Sequence, residues 1–125
     1  MPPEEGDTHV VERSFTPADV RQFADLSGDD QPQYTEPDED GRLLVHGLLT
    51  ATVPTEVGSE LGMLARTFTF EAHRPVYTSQ TVRCACVVEE VEETEEQYNL
   101  TIEVTCTCDG EVVMTGSVAG IVAKP

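Results

Sequence analysis

The sequence predicts an α+β protein in which an antiparallel β-sheet wraps around a central α-helix. From Gly47 onward, Leu48, Leu49, Ala51 and Val53 make the chain apolar on nearly all sides, as in a helix enclosed by a fold rather than lying on it. Four later segments are rich in Val, Thr and aromatic residues and are separated by turn signals, which reads as a long meander. The length of 125 residues suits a single domain, residues 1–125, with one core.

Taken in order, residues 1–7 read as a flexible polar tail, and His9–Arg13 as a short first strand. Thr16 then has the chemistry of a helix N-cap, with Pro17 at the first helical position and Asp19 at the third. Phe15 is placed to pack against Val20 as a hydrophobic staple. Val20, Phe23, Ala24 and Leu26 supply the apolar stripe, and Gly28 the stop. Gln31 to Gly41 is a polar loop with an acidic run that reads as solvated surface. The buried helix begins at Gly47, is loosened by Pro54, which lacks the N–H a helix needs, and ends around Gly58 and Gly62.

Strands are expected at Leu64–Glu71, Thr78–Val91, Gln97–Cys108 and Glu111–Val122, the last two joined by the tight-turn dipeptide Asp109-Gly110. Alternation sets Val82, Cys84, Cys86 and Val88 on one face. Leu100, Ile102, Val104, Cys106 and Cys108 share a face in the next strand, with Arg83, Glu89, Thr101, Glu103 and Thr105 on the wetter side. A hairpin could gather all four cysteines, so a zinc site or a cross-strand disulfide is conceivable. The favoured expectation is four buried, reduced thiols and no bound metal.

The formal net charge is -17, from 24 acidic against 7 basic residues. Such a charge repels phosphate backbones and anionic lipid, so nucleic-acid and membrane-surface roles are disfavoured. A high-salt cytoplasm is the simplest setting, because at about 1 M ionic strength the screening length is roughly 3 Å and crowded carboxylates repel one another little. No segment is long and apolar enough to span a bilayer, and the acidic start is unlike a secretory signal, so a cytoplasmic location is expected. There is no internal repeat, Gly-rich phosphate loop or nucleophile elbow.

With Ser27-Gly28-Asp29-Asp30-Gln31-Pro32-Gln33-Tyr34, then Leu43-Leu44-Val45-His46-Gly47-Leu48-Leu49-Thr50-Ala51, and later His73-Arg74-Pro75-Val76-Tyr77, the chain resembles the MaoC-like dehydratases, which include the R-specific enoyl-CoA hydratases. The likeness runs from about Phe15 to Val122 and implies a hot-dog fold, usually paired as dimers. The family's loop motif is Asp-x-Asn-Pro-x-His. This chain keeps Asp29 and Pro32, has Gln31 for the asparagine, and has Tyr34 for the catalytic histidine. The loop leading to His46-Gly47 is also several residues shorter than usual.

The resemblance implies reversible hydration of a trans-2-enoyl-CoA to the (R)-3-hydroxyacyl-CoA, with a coenzyme A thioester as substrate, a homodimer as the assembly and no cofactor. Asp29 would be the base, and Tyr34 would orient water or donate a proton. His46, Gly47 and Thr55 would contribute to substrate binding, the helix-start N–H groups polarising the thioester carbonyl. Each residue also has an ordinary structural use: Asp29 in the turn, Tyr34 as a wall, His46 orienting the loop, Thr55 bonding a backbone carbonyl. The alternatives to a hydratase are a non-catalytic acyl-thioester-binding or partner subunit of the same fold, and a hot-dog thioesterase.

Overall fold

The computed structural model describes residues 2–125; Met1, the first residue of the expected tail, lies outside them. The elements are β1 (Thr8–Ser14), α1 (Pro17–Ser27), α2 (Pro32–Thr35), α3 (Gly47–Thr50), α4 (Thr55–Leu61), β2 (Met63–Ala72), β3 (Thr81–Glu93), β4 (Gln97–Cys108) and β5 (Glu111–Ala123). All strands pair antiparallel in one sheet of order β1-β3-β4-β5-β2, so the strands on either side of the helical segment in sequence become the two edges.

α1 is built as its sequence implies. Thr16 and Asp19 form a reciprocal capping box, and Gly28 closes the helix in the left-handed conformation. Phe15 and Val20 are both buried. Leu26, however, is 84 % exposed instead of completing the stripe. Val20 and Ala24 stand one turn apart and face the core, and Leu26 lies some 200° further round the helix from Ala24.

The sheet packs its inner face against α3 and α4. Leu49, Val53 and Val57 meet Val82, Cys84, Cys86, Val88, Ile102, Val104 and Cys106 in one core. Each buried valine, leucine or isoleucine among these contributes about 1.5–3 kcal/mol through removal from water. The expected central helix is instead two short helices. Between them Thr52, Val53 and Thr55 donate to Leu49, Thr50 and Thr52, three residues back, at 3.0–3.1 Å. Pro54 supplies no N–H, so the chain tightens into this spacing and restarts at Thr55. Leu48 also departs from expectation. It is 73 % exposed, because the sheet covers only one side of these helices.

Two glycines of β5 let the edge strand β2 approach. A Cβ on Gly116 would collide with Phe70, and one on Gly120 with the Leu64 backbone beside the irregularity at Ala65/Thr67. The β4–β5 turn places Asp109 and Gly110 at φ 52° and 79°, as the dipeptide implied.

The expectation of four free thiols is overturned. Cys84 faces Cys106 across β3 and β4 with Cα atoms 4.1 Å apart, and the two are joined as a disulfide. The same register sets Cys86 opposite Val104, so the second pair cannot meet, and Cys86 and Cys108 stay free and buried. Burial pushes the Cys86 thiol up to about 11, and burial with the neighbouring Asp109 charge raises Cys108. Thiol titration in denaturant without reductant should therefore count two per chain and, after reduction, four. Neither free thiol should react at pH 7 while the protein is folded.

Candidate active site

The loop between α1 and α3 is drawn together by one imidazole. His46, the residue before α3, is buried, and its Nε2–H donates to the backbone carbonyl of Asp29 at 2.8 Å. Tyr34, in the single turn of α2, stacks on the same ring with centroids 3.7 Å apart and planes at 14°. Phe23 of α1 meets it edge-on at 4.9 Å. Backbone bonds from Leu44 to Gln33 and from Val45 to Val76 seat the loop against the segment after β2.

The carboxylate of Asp29 is half-buried, and its Oδ1 accepts from the Gln31 amide at 2.7 Å, while the Asp29 N–H donates to Ser27 Oγ. Gln31, which stands where the family motif has asparagine, thus orients the aspartate. The acidic run is exposed, as its sequence implies, and it closes a turn. Asp38 accepts from the N–H groups of Asp40 and Arg42 and pairs with the Arg42 guanidinium at 3.0 Å, which lowers its pKa. Arg42 in turn lies over Tyr77 at 4.0 Å.

Tyr34, Gly47 and Thr50 line a cavity of about 310 Å³, closed on the other side by His73, Arg74 and Pro75 after β2 and by Val113 and Met114 of β5. A Cβ added at Gly47 would meet nothing within 4 Å, so the space beside the start of α3 is open. Arg74 forms a single exposed ion pair, with Glu111 at 3.3 Å, and His73 bonds Thr115 at 2.7 Å. A second, apolar cavity of about 540 Å³ lies between α3–α4 and the sheet, bounded by Leu48, Thr55, Phe68, Phe70, Ile102 and Val118 among others.

The five residues singled out from the sequence are therefore divided. Asp29, Tyr34, His46 and Gly47 form one connected cluster, with Tyr34 and Gly47 on the smaller cavity and Asp29 reaching it through its carbonyl and the His46 ring. Thr55 is separate, exposed at the first turn of α4 on the apolar cavity. Sequence reasoning gave no site role to Thr50 or His73 and did not single out Arg74 from the other arginines. The spacing of four residues from His46 to Thr50 was a usable signal, because it places both on one helical face. For His73 and Arg74 the cavity depends on long-range pairing that no local pattern reports.

No protein-family model matches the sequence, and no curated protein matches it. Solved structures do match. The (R)-hydratase from A. caviae involved in PHA biosynthesis superimposes with TM-score 0.83 at 24 % identity, covering 94 % of this chain and 95 % of that one. A MaoC-like dehydratase from Rhodospirillum rubrum gives 0.79 at 16 % identity, over 98 % and 94 % of the two chains. A chain of the ChsH1-ChsH2 complex from Mycobacterium tuberculosis gives 0.79 at 17 %, over 97 % and 98 %. The architecture is thus the hot-dog fold of MaoC-like and R-hydratase proteins. Among the described residues no helix is long and apolar enough to cross a membrane.

Because His46 links α1, α2 and α3, His46→Ala should lower stability by about 2–4 kcal/mol in a denaturant titration, combining a cavity with an unpaired buried carbonyl. His46→Gln, which keeps a donor, should cost less.

Proposed function

We propose that the chain is a hydratase/dehydratase that reversibly adds water to a trans-2-enoyl-CoA, giving the (R)-3-hydroxyacyl-CoA, in a high-salt cytoplasm. The observation that supports this best is the convergence of Tyr34, the Gly47 backbone and Arg74 on one small cavity beside Asp29. A thioester carbonyl needs N–H donors where enolate charge develops, and the start of α3 offers them. The phosphates of coenzyme A need a local cation in a chain of net charge -17, and Arg74 can exchange its exposed Glu111 partner for one.

In this reading Asp29 takes a proton from water as the water oxygen bonds to C3. The π pair of the C2–C3 bond moves toward C2 and the thioester, and the enolate forms against the Gly47 N–H. The Tyr34 hydroxyl then protonates C2, and the proton held by Asp29 returns to Tyr34. Tyr34 suits the acid role, since its phenolic O–H is a donor on the cavity. Hydration of crotonyl-CoA in molar salt, followed spectrophotometrically, is the direct test. Asp29→Asn should lower the rate by about 10²–10⁴-fold with little change in melting temperature, and Tyr34→His should raise it. Full activity in Asp29→Asn would overturn the assignment.

A second reading is favoured by the Asp29 carboxylate, which is held by Gln31 and does not line the cavity. Here the chain binds acyl thioesters or serves as a partner subunit without turning substrate over. Binding of acyl-CoA with no hydration of any enoyl-CoA would select it.

The proposed assembly is a homodimer. Leu48, Leu64 and Phe68 are 73, 68 and 63 % exposed, and β2, which carries the last two, is a ten-residue open sheet edge. Sedimentation in molar salt should show a dimer, and a monomer at all concentrations would refute it.

A further inference from the structure

We infer that Thr50 is a substrate-binding residue of the smaller cavity, its hydroxyl donating to the same thioester oxygen that the Gly47 N–H is proposed to hold. The inference rests on the cavity being the thioester site and adds a residue that neither the motif nor the family resemblance supplies. Thr50 is 2 % exposed and lines the cavity with Tyr34 and Gly47. Its Oγ1 is buried and makes no hydrogen bond.

A threonine in a helix has an easy way to satisfy its hydroxyl, by bonding a backbone carbonyl one turn back. Thr52, two residues later, does so, donating to Leu49 at 2.6 Å. Thr50 does not. The His46 carbonyl, one turn back, instead receives the Thr50 backbone N–H at 2.9 Å. Nor does the His46 ring satisfy the hydroxyl, since its buried Nδ1 is itself without a partner. A buried hydroxyl without a partner is costly, and valine would fill the same space without that cost. A ligand oxygen in the cavity removes the cost. Gly47 and Thr50 lie three residues apart on one helical face, so an oxygen approaching the open Gly47 position also meets the Thr50 side chain.

The test is Thr50→Val and Thr50→Ser, read by calorimetric titration with butyryl-CoA, which is saturated and does not react, and by thermal melting. Thr50→Val should melt at the wild-type temperature or above and bind butyryl-CoA about tenfold more weakly. Thr50→Ser should bind like the wild type. Wild-type affinity in Thr50→Val would overturn the role of Thr50 while leaving the thioester site standing, and so would weakened binding that serine fails to restore. A lower melting temperature in Thr50→Val would show a structural hydroxyl, for instance one bridged to His46 by water, and would equally overturn it. No binding of butyryl-CoA by the wild type would remove the thioester site and this inference with it.

Discussion

The hydrogen bond from His46 Nε2 to the Asp29 carbonyl organises the loop side of this molecule. It ties the stretch around Asp29 and Tyr34 to the start of α3, while the buried Leu43 and Val45 anchor the later part of the same loop in the core. α2 is one turn long, too short to hold its own shape, and the surrounding loop is acidic and mostly exposed. The imidazole is held between Tyr34 on its face and Phe23 at its edge. Its donor therefore has a fixed direction, and the position of Asp29 follows from it.

That arrangement explains how the chain can carry Tyr34 where the resembling family has histidine. A phenol ring has a flat face to offer the buried imidazole and a hydroxyl to offer the cavity. Packing and polarity can thus be served by one side chain. The chemical cost is the loss of a group that exchanges protons near neutral pH. In the proposed reaction Asp29 is left as the base, its carboxylate bonded by Gln31.

The acidic surface and the local cations divide the molecule's electrostatics. Arg13, Arg83 and Lys124 pair with Glu56, Glu12 and Glu93 on exposed surface, where ion pairs add little stability. Arg42 is tied into the Asp38 turn and stacked on Tyr77. Arg74, likewise paired on exposed surface with Glu111, differs from these in lining the cavity beside Tyr34 and Gly47.

Much of the architecture was legible along the chain because its causes are local. The Thr16–Asp19 capping box, the Gly28 stop, the Asp109-Gly110 turn and the alternation from Val82 to Val88 each depend on neighbours within a few residues, and each stands as read. The Asp29, Tyr34 and His46-Gly47 cluster was legible as a set of residues by resemblance, but its contacts were not. The tertiary structure alone decided what depends on partners distant in sequence. Strand register selected Cys84 and Cys106 for the disulfide and left Cys86 and Cys108 free. The sheet covers only one side of the helices and leaves Leu48 outside, and the long-range fold of β5 and the segment after β2 brings Arg74 to Tyr34. Periodicity reports which face a side chain takes, and only chain closure over tens of residues decides what that face meets.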